Sequence, residues 1–499
     1  MQNLLIGLAN VFQIQNLLII LASVTLGIII GALPGLSATM GVVLLLPLTF
    51  TMNIISGLLL LLGVYCGAIY GGSISAILIR TPGTPASAAT VFDGYEFAKR
   101  GEGGRAIGIS TFSSFVGGII SCIALLTISP LLSKFALQFS AAEYFSLALF
   151  GLTIIGCISG KSIVRGLLSG ALGLLVATVG IDNMSGTLRY TMNNVNLLSG
   201  ISIIPAMIGL FALPQVFIGL FQGRTKERMI QHVANVFPSK EDMKVIFPIT
   251  IICGLIGTFI GAIPGTGATI ASFLAYNETR RWSKHPEKFG TGIPEGVAAP
   301  ESANNGVTGG ALIPLLTLGV PGDVTTAVLL GAFLVQGLQA GPLLFTEHGD
   351  IVYSIFIGLF IVNIVMLVMG FLGLKLFTKI VSMPSFIITP MIFILCIIGS
   401  FAINNSLFDV EMMLLFGIIG YVFNKLQIPE APMVIGIILG PMVESNLRRA
   451  LILSKGSMLI FVEKPISLLF LVFTVLSIVW PFLVKKYKEM KKRQEVLPV

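Results

Sequence analysis

The sequence predicts an all-α fold, a polytopic transmembrane helical bundle of roughly 10–12 spans. Pro-Gly-broken or re-entrant helices and two internal repeats are expected within it. Three observations predict this. First, charge is scarce: of 499 residues, 55% are hydrophobic and only 10% are charged, with a mean hydropathy of +0.97. A soluble domain carries roughly 25% charged residues, so 30 Lys+Arg and 22 Asp+Glu cannot coat a water-facing surface. A soluble enzyme, a nucleic-acid binder and a disordered chain are excluded on that ground. Second, apolar residues come in continuous runs, such as Leu17–Leu33 and Leu468–Val484. A membrane β-strand would alternate apolar and polar residues instead. Third, Pro-Gly pairs interrupt these runs at related places.

In order, the apolar stretches of the first half fall near 14–33, 36–50, 54–79, 106–131, 136–158, 163–181 and 198–221. Those of the second half fall near 245–276, 307–320, 324–345, 351–376, 385–403, 408–424, 431–443 and 457–484. The first charged residue is Arg80, so the N-terminus lacks the basic segment of a cleavable signal and is expected to be retained as membrane helices. Net charge is +8. Arg224, Lys226, Arg228, Lys240 and Lys244 lie in a central polar linker, and Lys485, Lys486, Lys488, Lys491, Lys492 and Arg493 follow the last apolar run. Both clusters read as cytoplasmic. The expected organisation is a first transmembrane repeat over 1–221, a basic cytoplasmic linker over 222–244, a second repeat over 245–484 and a basic cytoplasmic tail over 485–499. Cys66, Cys122, Cys157, Cys253 and Cys396 sit in apolar runs without metal-site spacing and read as small buried hydrophobes.

The repeat is visible in the residues. Gly31-Ala-Leu-Pro-Gly-Leu-Ser-Ala-Thr-Met40 matches Gly261-Ala-Ile-Pro-Gly-Thr-Gly-Ala-Thr-Ile270 at six of ten positions, at an offset of 230. Leu78-Ile-Arg-Thr-Pro-Gly-Thr-Pro85 echoes Thr317-Leu-Gly-Val-Pro-Gly-Asp-Val324 at an offset of 239. Proline removes a backbone donor and glycine allows positive φ, so each pair ends a helix inside the membrane. The freed backbone groups are tolerated only in a cavity or within protein. Broken helices at matching places in two halves point to a transporter's binding site. Their N-termini favour anions such as carboxylates.

Four polar segments accompany the breaks: Pro34–Thr39, Arg80–Ser87, Pro264–Thr269, and Pro300–Asn305 with Val320–Thr326. Hydroxyls and amides dominate them, which suits carboxylates through neutral donors or sodium through oxygen. Helix packing explains any single Ser or Thr equally well. Asp323 is the one charged residue between Ser302 and Thr346. An intramembrane carboxylate points to function, while Asp is also a good helix N-cap. Glu301 and Arg80 flank these segments and are compatible with loop charges. Catalytic patterns fail. Gly160-Lys-Ser162 lacks the first glycine of a P-loop, since Ile155 stands there. No general base lies in an apolar run: His232, His285 and His348 fall in polar loops or at a run's end. No catalytic residue is expected.

These motifs resemble the large permease subunit of the tripartite tricarboxylate transporters, the TctA family. The resemblance rests on Gly31–Met40, Gly71–Gly104, Gly261–Ile270 and Gly292–Gly341, above all on Thr81–Tyr95 and Pro294–Gly306. It implies a multi-pass importer of the bacterial inner membrane. It implies two protein partners, a small transmembrane subunit and a periplasmic substrate-binding protein, besides membrane lipid and with no nucleic acid. Citrate or a related carboxylate is the implied substrate, driven by a sodium or proton gradient, with no cofactor beyond that ion.

Within this reading, Ser37, Thr39, Thr81, Gly83, Thr84, Thr266, Thr269, Asn304, Asn305 and Thr308 are the expected substrate contacts. Asp323, Thr325 and Thr326 are expected on the coupling-ion side, with sodium the one metal anticipated. An anion channel, or a transporter of another small solute, would use the same broken helices.

Overall fold

The computed structural model describes residues 2–158, 162–182, 184–221, 236–381 and 385–479. The basic tail, Arg224, Lys226, Arg228, His232 and the Gly160-Lys161 pair lie outside them. Among the described residues seven helices are long and apolar enough to cross a membrane: Ile14–Ala32, Ile54–Ile79, Gly103–Ala136, Lys240–Ala262, Gly349–Leu372, Ile387–Asn404 and Leu407–Leu426. Shorter apolar helices accompany them, including Ala38–Thr51, Val324–Val335 and Pro465–Val479. The expected polytopic helical bundle is therefore the fold.

The chain forms two compact units, Met1–Leu137 with Ile204–Val422 and Gln138–Ile203 with Phe423–Val499. Each draws on sequence from both sides of the 222–244 linker. In the second unit the helix starting at Ile163 stops at Ala177, short of the predicted 181, and a two-residue antiparallel pair follows, Gly180 opposite Arg189. Arg189 meets Glu444 at 2.6 Å, and Arg448 meets both Glu444 and Asp182 at 2.6 Å. Hydrogen bonds from Ser185 and the Met184 N–H, with Arg448, hold Asp182 well below the usual carboxylate range.

In the first unit every element of the repeat has a local cause. Asn53 caps the Ile54–Ile79 helix by accepting from the Ser56 N–H at 2.8 Å. That helix is apolar on all sides because nearly all of it is buried. Ser239 and Asp242 form a capping box at the start of Lys240–Ala262, and Arg105 grips Asp242 with two nitrogens at 2.6 and 2.9 Å. Lys240 and Lys244 thus open a helix and are not linker. Pro294 begins Pro294–Leu318, where its missing N–H costs nothing. At the other end left-handed Gly319 donates its N–H to Leu315 O, an αL ending, and Val320 N–H reaches Pro314 O.

Both ends of the repeat recur in the backbone. Ile14–Ala32 stops at Leu33 (φ −85°, ψ 115°) and Lys240–Ala262 stops at Ile263 (φ −88°, ψ 115°). Each precedes a proline, which forces the extended region. Gly35 and Gly265 follow at φ 93° and 84°, and a new helix starts within three residues of each. The single predicted stretch 245–276 is therefore two helices. At the second break Arg80 (φ 57°, ψ 22°) corresponds to Gly319 (φ 71°, ψ 19°), both left-handed.

Glycines set the packing, again in register. A Cβ at Gly27 or Gly31 would meet the Val64 or Ala68 backbone; one at Gly257 or Gly261 would meet that of Ala303 or Val307. These partners correspond at the offsets of 230 and 239. Small residues let membrane helix backbones touch in this way.

The contacts also fix direction. Gly27–Val64 and Gly31–Ala68 make Ile14–Ala32 parallel to Ile54–Ile79, and Lys240–Ala262 is likewise parallel to Pro294–Leu318. Ile54–Ile79 runs antiparallel to Gly103–Ala136, through Leu78 beside Gly103 and Ser73 bonded to Ser110. Gly103–Ala136 runs parallel to Pro294–Leu318, through Gly117 at Ser302 and Gly309 at Ser121. The two helix pairs therefore point in opposite directions, an inverted-topology repeat.

A side chain at Gly83 or Gly322 would strike the carbonyl of Gly31 or Gly261. Gly83→Val and Gly322→Val should each destabilise the detergent-purified protein by about 1–3 kcal/mol, the usual cost of overpacking. Thermal unfolding checks this; melting temperatures equal to wild type would contradict the close approach.

Candidate functional site

Gly83 and Gly322 anchor two loops that then cross between the halves. After Gly322 the chain reaches Asp323, which caps the Val324–Val335 helix. Its Oδ1 accepts from the Thr326 N–H at 2.7 Å and from the Thr326 hydroxyl at 2.8 Å. Its N–H donates back to Thr326 Oγ1 at 2.8 Å. Tyr65, from the middle of the first half's Ile54–Ile79 helix, donates to Asp323 Oδ2 at 2.7 Å. Thr325 shares a 2.9 Å hydrogen bond with Thr39 of the first half. All five residues are buried.

The mirror loop, Thr84–Ser87, is itself neutral. At the offset of 239, Thr84 corresponds to Asp323, Ser87 to Thr326 and Asn304 to Tyr65. Asn304 Nδ2 donates to Ala86 O of the first half at 3.2 Å. Asn305 donates to Asn304 Oδ1 at 2.8 Å and to Glu301 O at 3.2 Å. The buried Thr84 Oγ1 and Asn305 Oδ1 have no hydrogen-bond partner. The second half's loop thus presents a carboxylate, while the first half's loop presents hydroxyls beside the Asn304 and Asn305 amides of Pro294–Leu318.

The other expected contacts are placed as follows. Ser37 accepts from the Met40 N–H at 3.1 Å and caps Ala38–Leu45. Gly83 N–H bonds Gly72 O at 3.1 Å. Thr81 is half-buried and donates to Ile79 O at 3.3 Å. Thr266 turns its hydroxyl onto the Ile260 and Ile263 carbonyls, at 2.5 and 2.9 Å, satisfying the end of its helix. Thr269 is half-buried, and Thr308 is buried with its hydroxyl on Asn305 O at 2.7 Å. Asp323 bonds Thr326 and the neighbouring Thr325 bonds Thr39; Asn304 and Asn305 form the second group. Ser37, Thr81 and Thr266 are occupied by their own backbone.

Two residues gain importance over the sequence reading. Tyr65 lies in an unbroken apolar run, and only its length of reach marks it. Glu301 is no loop charge: it lies inside the Pro294–Leu318 helix, wholly buried, accepting from Thr90 and from Ser114 at 3.4 Å. Arg80, by contrast, is exposed and lies over the Tyr95 ring. Among the described residues no three His, Cys, Asp or Glu side chains gather to hold a metal. A small cation here would rest on hydroxyl, amide and single carboxylate oxygens, a donor set that suits hard ions.

The cap and the charge of Asp323 are separable. Asn is as good an N-cap as Asp, whereas Ala is not. Asp323→Ala should therefore lose about 1 kcal/mol more stability than Asp323→Asn. Thermal unfolding of both variants checks this; equal losses would show that the cap contributes nothing.

No solved structure matches the chain. An Agrobacterium vitis protein described as an uncharacterized 52.8 kDa protein in the TAR-I ttuC' 3' region is 36% identical over 465 residues, 93% of each chain. A second from the same organism, an uncharacterized protein in the TAR-II ttuC' 3' region, is 39% identical over 211 residues, 42% of this chain and 87% of its own. Residues 17–435 match the model of the tripartite tricarboxylate transporter TctA family. That span contains both Pro-Gly breaks of each half and every residue of the two crossed loops, and with this match the multi-pass chain belongs to the tripartite tricarboxylate transporter TctA family.

Proposed function

We propose that the protein is the large subunit of a binding-protein-dependent importer that moves a tricarboxylate or related carboxylate across the bacterial inner membrane, driven by an ion gradient. The observation that carries this reading is the pair of crossed loops in an inverted repeat. Where the first loop meets Pro294–Leu318, the neutral Asn304 amide stands, and a carboxylate is recognised there. The other offers buried Asp323 with Thr325, Thr326 and Thr39, where a sodium ion or proton is carried. An inverted repeat supports two conformations of similar energy, because each half can adopt the other's arrangement. Substrate and ion then stabilise the same state, which couples their movement.

The periplasmic binding protein and the small transmembrane subunit are the proposed partners, and membrane lipid surrounds the chain. The basic residues of the tail and linker support a cytoplasmic C-terminus. No catalytic residue enters this scheme, and a transporter family accords with a non-enzymatic role.

Uptake of labelled citrate is the direct test, in cells that contain the partner subunits, with a sodium or proton gradient imposed or collapsed. Uptake is expected only with the chain and with a gradient. Uptake that survives collapse of both gradients would replace this reading with a channel. Asp323→Asn, which keeps the cap, should weaken ion dependence; unchanged sodium and proton dependence would remove the residue from the coupling role. Gly35→Ala and Gly265→Ala should strain the positive-φ breaks by roughly 1–2 kcal/mol each and slow uptake. Normal uptake by both would count against the broken helices as the moving parts.

A further inference from the structure

We propose that Glu301 forms a second cation site, distinct from Asp323, with Thr84, Ser87 and Asn305 as its neutral oxygens. The proposal deepens the ion-coupled reading above and rests on it. Glu301 is wholly buried in the middle of the Pro294–Leu318 helix. Thr90 from the loop of the first half and Ser114 from Gly103–Ala136 donate to its two oxygens. Ser87 and Asn304 also face it. Every one of these partners is neutral. Tyr70 is the titratable group that faces it from Ile54–Ile79. Asp93 on Val91–Lys99 is taken by the Gly290, Gly292 and Ile293 N–H groups and the Tyr276 hydroxyl. Among the described residues no Lys, Arg or His bonds Glu301.

An ionised carboxylate removed from water without a counter-charge is strongly disfavoured. A positive charge must therefore accompany Glu301, as a proton on the carboxyl or as a cation beside it. Two buried oxygens stand ready. Thr84 Oγ1 and Asn305 Oδ1 are without hydrogen-bond partners. The Thr84 and Ser87 hydroxyls both close over Gly72, where any side chain would collide with them. Asn305 lies one helical turn after Glu301, with both its amide bonds spent on Asn304 and the Glu301 carbonyl. Carboxylate, hydroxyl and amide oxygens together suit a hard monovalent cation. Asp323 likewise has donors on both its oxygens, and it differs in that one of them is the backbone N–H of Thr326 in the helix it caps. Nor is Glu301 a product of the repeat, because its counterpart at the offset of 239 is Leu62. The inference is that two positive charges, not one, enter the core of the first unit.

The test uses the full-length chain purified in lipid nanodiscs. Its melting temperature is measured in sodium chloride and in choline chloride at equal ionic strength, across a pH series, for wild type, Glu301→Gln, Asp323→Asn and Thr84→Val. Wild type is expected to melt higher with sodium, or at lower pH if the charge is a proton. Glu301→Gln should lose most of one response while Asp323→Asn keeps it. Thr84→Val should need at least about tenfold more sodium for half the rise, a loss typical of one ligand, or leave the pH response intact if the charge is a proton. Should Glu301→Gln fail to fold, Asn305→Asp, which adds charge without removing Glu301, should raise the sodium affinity or deepen the pH response. Responses in Glu301→Gln equal to wild type overturn the proposal, as do a wild type indifferent to both ions and an Asn305→Asp variant without effect. Carboxylate uptake is read separately, so absent uptake with an intact cation response would sink the transport reading and leave this site standing.

Discussion

The close approach of glycine backbones is the constraint on which the rest depends. Gly83 lies against the Gly31 carbonyl, and Gly322 lies against that of Gly261. Lipid supplies no hydrophobic drive between helices, so contact distance and packing must hold them. Only residues without side chains permit that distance. Each contact ties a second break to the end of a first helix in its own half. The residues just beyond, Thr84–Ser87 and Asp323–Thr326, are thereby delivered to the other half.

A broken helix exposes backbone groups that hydrocarbon cannot satisfy. The structure satisfies them locally in several ways. Ser37 and Asp323 cap new helices, Thr266 covers carbonyls at the end of an old one, and left-handed Gly319 closes another. These caps consume hydroxyls that composition alone marks as candidate ligands. Within the polar segments at the breaks, two buried atoms remain without a protein partner, Thr84 Oγ1 and Asn305 Oδ1.

The inverted repeat supplies symmetry, and the chemistry breaks it. Asp323 and Tyr65 on one side correspond to Thr84 and Asn304 on the other. The scaffold is symmetric, but of its two loops only Asp323–Thr326 carries a charge, and Thr84–Ser87 carries none. Inverted geometry also means that two opposed conformations use the same contacts with roles exchanged, which keeps their energies near one another.

The helical membrane class followed from scarce charge and continuous apolar runs, because only helices and closed barrels satisfy the backbone in lipid and barrel strands alternate apolar with polar residues. The breaks followed from proline and glycine, whose restrictions are local, and so did Asp323 as a cap. Their correspondence at two offsets was legible because the same backbone shape requires the same residues, Gly31 with Gly261 and Gly35 with Gly265. Direction was not legible, since a repeat reads identically whether parallel or inverted. It emerged only from which residues touch, Ser73 with Ser110 and Gly117 with Ser302. Nor did Tyr65 or Glu301 stand out in sequence. An apolar run hides the one, and a polar helix segment that resembles a loop hides the other. Their partners lie more than two hundred residues away in the chain, Tyr65 on Asp323 and Glu301 on Thr90. Local rules reach a few residues along the chain; bringing such distant groups together is decided by tertiary packing alone.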